Sequence, residues 1–258
     1  MEHTMKTFNV SEERNLRDLG GYPGENGRRI RPGLLYRSGA LHLFHKEELD
    51  VLRTLGIHTI LDLREAFSWK KKPDPEIGAV HAQYDGKPSK GAEQIDFTER
   101  GFSLTGQKAK DQLSRLYTYY EDMPFGYDAF HVMMKELKEG NTPFLFHCTK
   151  GKDRTGVAAL ILLLALGADA ETAIEDYLYS NTARASLIKA KMKEARQIHP
   201  EDSDYLELRY LQEGVRREVA ERVINGIITR CGSFEGYLNQ EYGWSEEDIH
   251  VFREQFLE

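Results

Sequence analysis

The longest unbroken apolar run in the chain is VAALILLLAL at residues 157–166, with no charged position inside it. Ten such residues are too few to cross a bilayer and read as a helix buried on all sides. Just upstream, PFLFHC at residues 143–148 is a short apolar stretch ending in a polar turn, which predicts a buried strand. Two further strands are predicted at residues 34–39 (LLYRSG) and residues 57–63 (IHTILDL), the second rich in branched side chains. Between them, residues 46–55 carry Leu49, Val51 and Leu52 at helical spacing, with Gly56 as the stop. Leu113, Leu116, Tyr117 and Tyr120 recur at i, i+3, i+4, i+7 and define one helix face. A second helix is predicted over residues 125–139, ending at Gly140.

Periodicity fades between residues 64 and 110, where Pro73, Pro75 and Pro88 interrupt the chain and only AVHAQY (residues 79–84) resembles a strand. So long an irregular stretch inside a compact chain is usually functional or mobile. It contains Lys70, Lys71 and Lys72, a run that reads first as a solvated loop and second as a surface for acidic head groups. After residue 167 the pattern is helical throughout. Asp169, Thr172 and Glu175 mark a helix start, Leu211, Val215, Val219, Val223 and Ile227 make a stripe every fourth residue, and Ser245 with Asp248 forms a capping-box-like start. Strands alternating with helices, followed by helices alone, predict an α/β sheet core with a helical C-terminal elaboration.

At 258 residues the chain is expected to form one domain, residues 1–258. Its composition is 40% hydrophobic and 30% charged, enough apolar material for a sizeable core. The formal net charge of -7 disfavours a general nucleic-acid binder, so any affinity for anions must come from a local cluster. Residues 1–10 are polar and lack the apolar core of a secretion signal. The expectation is a reduced cytoplasmic protein, with export by another route left open. Cys148 and Cys231 are its two cysteines, too few for a disulfide framework. Cys231 has no motif around it and reads as an inert helix residue.

Cys148 stands where chemistry is expected. The predicted strand ends there, a turn containing Gly151 follows, and the apolar helix begins near Thr155. Successive backbone amides in such a turn, at the positive end of a helix, form a nest for a phosphate-sized anion. Arg154 follows Cys148 by six positions, and its planar fork can hold two phosphate oxygens at once. The same field lowers a thiol pKa and favours the nucleophilic thiolate. A thiolate on the floor of an anion cradle can attack phosphorus, form a cysteinyl-phosphate and yield to water in a second step. No dense metal-ligand pattern accompanies the loop, and neither a metal nor a cofactor is expected. Taken alone, Cys148 would more often be a small buried residue; the conjunction with Arg154, Thr155 and Gly156 between strand and helix outweighs that reading.

HCTKGKDRTG at residues 147–156 resembles the signature H-C-x5-R-S/T-G of the cysteine-dependent protein tyrosine phosphatase superfamily. GKDRTG (residues 151–156), NLRDLGGY (15–22), LLYRSGAL (34–41) and LDLRE (61–65) are similar to blocks of its bacterial tyrosine and phosphoinositide phosphatase branch. The resemblance implies a central, mostly parallel sheet flanked by helices, with the active loop at a strand's carboxyl end. It implies Cys148 as nucleophile, Arg154 as phosphoryl clamp, Thr155 as donor to the departing thiolate and His147 as the residue orienting the loop. Thr149, Lys150, Gly151, Lys152, Thr155 and Gly156 would surround the phosphate. Asp153 is the proposed general acid of that branch, with Asp85 as runner-up; for Asp153 an anion completing the helix start is the plainer reading. Asp62 and Arg64 are expected to support the loop, as are Arg17, Asp18 and Arg37.

The implied activity is metal-independent hydrolysis of protein phosphotyrosine, extending to phosphoserine or phosphothreonine and to phosphoinositides at a membrane surface. Lys152 matches a lysine of phosphoinositide phosphatases, but Thr149 stands where those enzymes carry their other loop lysine. The expected partners are phosphotyrosine proteins or peptides and phosphoinositide head groups, with no nucleic acid and no transmembrane segment. Two readings compete: a non-catalytic phosphate-binding module on the same fold, and a rhodanese-like sulfurtransferase, whose loop differs in length and lacks R-T-G. Residues 180–230 could form a helical lid over the site, with C-terminal helices over residues 231–258; the amphipathic stripe equally fits ordinary core packing.

Overall fold

The computed structural model describes residues 8–258; most of the polar N-terminal stretch weighed above for a secretion signal, residues 1–7, lies outside them. Five strands form one sheet: β1 (Arg17–Asp18), β2 (Leu35–Ser38), β3 (Thr59–Asp62), β4 (Val80–His81) and β5 (Phe144–His147). Their order across the sheet is β1-β2-β5-β3-β4. β2, β5, β3 and β4 run parallel, and only β1 is antiparallel to its neighbour. The last strand in sequence is therefore the middle one in space. All four residues of β5 are buried, as a strand covered on both faces requires.

The helices are α1 (Lys46–Thr54), α2 (Ala66–Lys71), α3 (Gly106–Asp122), α4 (Asp128–Lys138), α5 (Arg154–Ala165), α6 (Ala170–Ala183), α7 (Ala185–Ile198), α8 (Ser203–Glu213), α9 (Arg217–Cys231), α10 (Phe234–Tyr242) and α11 (Glu246–Phe256). α5 is buried at ten of its positions, from Thr155 to Ala165, and the sheet, α6, α9 and α10 surround it. A continuous apolar cluster joins Leu61 and Phe146 of the sheet to Leu163, Val223 and Phe252 of the helices. Asp169 and Ser245 cap α6 and α11 as expected, accepting the backbone N–H of Thr172 and Asp248.

Three expectations need correction. AVHAQY contributes only the two-residue β4, at the sheet's edge. The irregular stretch after residue 64 holds α2 and short 3-10 turns. The stripe from Leu211 to Ile227 is not one helix: α8 ends at Gly214, whose backbone is extended, and α9 begins at Arg217. Val215 lies in the connection yet is buried, so the apolar spacing runs on where the helix does not. Among the described residues, no helix is long and apolar enough to cross a membrane.

Candidate active site

β5 delivers Cys148 to the centre of the sheet's carboxyl edge, and α5 begins at Arg154. The turn between them depends on Gly151, which has φ +68°; an added Cβ would stand 2.5 Å from the Ser38 carbonyl oxygen. Only glycine meets both conditions. Gly156 allows a second close approach, since a Cβ there would stand 2.6 Å from the Tyr177 ring. Thr149 O accepts the Ala40 N–H at 3.1 Å. Gly151 O accepts from Asn15 Nδ2 and Arg37 Nη2, both at 2.8 Å. In a planar trans peptide the C=O and N–H point opposite ways. Fixing these carbonyls outward thus turns the amides of Lys150 and Lys152 toward the hollow of the loop.

That hollow opens into a cavity of about 460 Å³, with Cys148, Thr149, Lys150, Lys152, Asp153 and Arg154 among its lining residues. Phe97, Phe102, Tyr119 and Tyr120 supply aromatic wall, and Glu65, Ser68, Glu93 and Gln212 supply polar rim. Cys148 is 2% exposed. Burial alone would push its thiol up, yet the Arg154 charge and the hydroxyl and amide of Thr155 bring it below the ordinary thiol value. The Thr155 hydroxyl is buried and has no other partner.

Behind the loop lies an ion-pair cluster. His147 is fully buried; its Nε2 lies 2.8 Å from Asp74 Oδ2 and its Nδ1 3.2 Å from the Cys148 carbonyl. Burial works against its charge, but Asp62 and Asp74 together raise its pKa. Arg64 clamps Asp62 through Nε and Nη2 at 2.6–2.9 Å and reaches Asp74 at 3.1 Å. Ligand atoms of Asp62, Asp74 and His147 lie within 4.8 Å of one another. The Arg64 guanidinium bonds both carboxylates, so the trio is part of a salt-bridge network in this structure.

On the loop's other side Asp176 of α6 is buried between two guanidinium groups. It accepts from Arg17 Nε at 2.7 Å and from Arg37 Nη1. Burial would raise its carboxyl, but the two arginines hold it below the usual range. Arg37 is thereby tied to Asp176 at one end and to the Gly151 carbonyl at the other. Asp18 accepts the N–H groups of Gly20 and Gly33 and braces that turn rather than the loop itself.

Several of the predicted residues take unexpected positions. Lys152 is 2% exposed and turns away from the loop's hollow. Its ammonium donates to the carbonyls of Leu211 (2.8 Å) and Gly214 (3.1 Å) and to Asp153 (2.8 Å). Lys150 donates to Gln212 O and pairs with Glu213 at 2.9 Å. Both lysines thus close the C-terminal end of α8, where orphan carbonyls and the helix dipole favour cations. Asp153 accepts from the Tyr120 hydroxyl as well as from Lys152. Burial would raise its carboxyl; Lys152, Tyr120 and Lys150 together leave it below the ordinary range. Asp85 does not line the cavity; it pairs with Lys87 in an exposed loop. Cys231 lies at the end of α9, away from Cys148, and burial raises its thiol pKa.

Four site residues escaped the sequence reading: Glu65, Asp74, Tyr120 and Asp176. Glu65 Oε2 lies 2.7 Å from Arg154 Nη1. Glu65 follows LDLR directly, which was its one available signal. Asp74 lies in the proline-broken stretch and Asp176 on a distant helix, without local signature.

The model of the tyrosine phosphatase family matches residues 8–258. A candidate tyrosine-protein phosphatase of Cupriavidus necator is 37% identical over 173 residues, which are 66% of this chain and 62% of that protein's length. The triple specificity protein phosphatase PtpB of Mycobacterium tuberculosis is 28% identical, with 93% of this chain and 95% of that protein covered. A tyrosine-protein phosphatase of Nostoc commune is 26% identical over 79% of this chain and 67% of its own. Among solved structures, Pseudomonas aeruginosa TpbA in complex with phosphotyrosine aligns at 14% identity and a TM-score of 0.35, over 86% of this chain and 97% of that one. That score is too low to bear on the fold.

Proposed function

The chain belongs to the tyrosine phosphatase family, and we propose that it hydrolyses phosphotyrosine through a cysteinyl-phosphate on Cys148, without a metal ion. The observation that carries this reading is the placement of Cys148: a buried thiol at the end of β5, on the floor of an anion-sized hollow that Arg154 also lines, next to the buried Thr155 hydroxyl at the start of α5. In the first step Sγ attacks phosphorus while Arg154 and the inward amides of Lys150 and Lys152 bind the equatorial oxygens. The P–O bond to the phenol breaks, and Asp153 gives the leaving oxygen its proton. In the second step water attacks the cysteinyl-phosphate, Asp153 takes its proton, and the thiolate leaves toward the Thr155 hydroxyl. Glu65 holds Arg154 in the absence of substrate and continues to orient it when phosphate is bound.

The aromatic wall of Phe97, Tyr119 and Tyr120 suits a phenyl ring. A second reading, action on phosphoserine, phosphothreonine or phosphoinositides, is supported by the words triple specificity in the name of the mycobacterial relative. The loop lysines support it less, because both ammonium groups are spent on the end of α8. Phosphate release from a phosphotyrosine peptide, its phosphoserine counterpart and a soluble phosphoinositide, measured side by side, tests the choice. Highest kcat/KM on phosphotyrosine is expected; a clear preference for the inositol lipid would overturn the order.

A further inference from the structure

α2 follows Glu65 and is only six residues long, AFSWKK. One side of it meets the protein: Glu65 and Ser68 line the active cavity, and the Ala66 N–H donates to the Gly86 carbonyl at 2.9 Å. The other side carries Phe67, which at 75% is the most exposed large hydrophobic side chain among the described residues. Lys71 lies one turn from Phe67 with its ammonium 5.7 Å from the ring centre, and Lys70 lies 5.4 Å from the Trp69 ring. Lys72 follows at the helix end, and all three lysines are exposed. Among the described residues none of the three makes an ion pair, in a chain of net charge -7 where most arginines are paired. An exposed Phe67 and a half-buried Trp69, interleaved with unpaired lysines, are poorly matched to water and well matched to a lipid interface, where rings enter the headgroup layer and ammonium groups meet anionic lipid.

We propose that α2, through Phe67, Trp69 and Lys70 to Lys72, docks the protein on anionic membrane surfaces beside the mouth of its active cavity. An acidic protein segment could satisfy the lysines but would leave Phe67 without an apolar partner, so the lipid surface is the better fit. This inference goes beyond the phosphatase reading and stands without it. A membrane at α2 would lie next to the cavity rim at Ser68, bringing phosphorylated groups held at that surface within reach. The interaction is weak by construction, since three lysines and two rings bind reversibly.

The test uses the protein's own fluorescence. Trp244 is 3% exposed, whereas Trp69 is only half-buried, so emission changes on adding vesicles report α2. With phosphatidylcholine vesicles containing about a third phosphatidylserine, a blue shift and quenching by brominated acyl chains are expected, weakening as salt rises. Pure phosphatidylcholine should give far less. Lys70→Ala with Lys71→Ala should weaken vesicle binding about 25-fold, at roughly fivefold per lysine. Phe67→Ala should abolish co-sedimentation, and both variants should hydrolyse a soluble aryl phosphate at the wild-type rate. No spectral change with anionic vesicles would overturn the proposal. So would lysine variants that bind vesicles normally, or binding to a polyglutamate peptide in place of vesicles. Wild-type protein that binds anionic vesicles yet does not hydrolyse the aryl phosphate would instead count against the phosphatase reading alone.

Discussion

Cys148 has opposing influences on its charge. Desolvation favours the thiol; Arg154 and Thr155 favour the thiolate and prevail. A pKa below the ordinary value means that Cys148 carries a larger thiolate fraction at any given pH than a free cysteine does, and that this fraction is lost as pH falls through that pKa. Cys231 lies on the other side of the ordinary value, raised by burial. Mass-spectrometric labelling with iodoacetamide across pH should therefore modify Cys148 at distinctly lower pH than Cys231. Both cysteines reacting with the same pH midpoint would contradict the electrostatics described. Asp153 poses the reverse problem, for a general acid must carry a proton and its carboxyl is held low. The dianionic phosphate of a bound substrate opposes that lowering. Asp153→Asn should cost about 10²–10⁴-fold in kcat on phenyl phosphate, and much less on p-nitrophenyl phosphate, whose leaving group needs no proton. Equal losses on both substrates would assign Asp153 to holding Lys152 rather than to proton transfer. Cys148 and Arg154 were legible because they share one local motif. Asp74 and Asp176 were not, because each acts through a contact made only when distant segments meet.

The unit of β5, loop and α5 was the most legible part of the fold, since a buried strand, Gly151 and ten apolar positions each carry their own signal. The supporting elements around it were less so. β1 is two residues long and exists because its neighbour β2 pairs with it, which no periodicity reveals. The stripe through Leu211 and Ile227 misled because burial at Val215 preserves the spacing across a break at Gly214. α6 contributes Asp176, whose single negative charge lies between two buried arginines. Removing it leaves two guanidinium groups buried without a counter-charge. Asp176→Asn should destabilise the protein by about 3–5 kcal/mol in urea titrations and loosen the Gly151 carbonyl from Arg37. Because the Asp176 pKa is depressed, its contribution is present above the unfolded carboxyl pKa and is lost as pH falls through the folded one. An Asp176→Asn variant as stable as wild type at neutral pH would show that the pair repays little of its desolvation.

The helical C-terminal region is joined to the loop through Lys150 and Lys152, which close the end of α8 while Gln212 of that helix lines the cavity. Residues 180–230, which the sequence allowed as a lid, include a hairpin of α7 and α8, with Gln212 of α8 lining the cavity, and an α9 that packs against α3. A charge at the phosphate loop and the position of α8 are coupled by this arrangement. Lys152→Met should raise amide hydrogen exchange across Ser203–Glu213 and lower kcat/KM, with α9 unaffected. Unchanged exchange in α8 would mean that its packing on α3, and not the lysine, holds it in place.

The central claim, a thiolate acting under an anion cradle without a metal, is tested most directly by phosphate release from a phosphotyrosine peptide in excess EDTA. Wild type and Cys148→Ser would be compared at equal concentration. Full wild-type activity that vanishes in Cys148→Ser is predicted, because a serine hydroxyl remains protonated where the thiol ionises. Activity lost to EDTA in the wild type, or retained in Cys148→Ser, would contradict it.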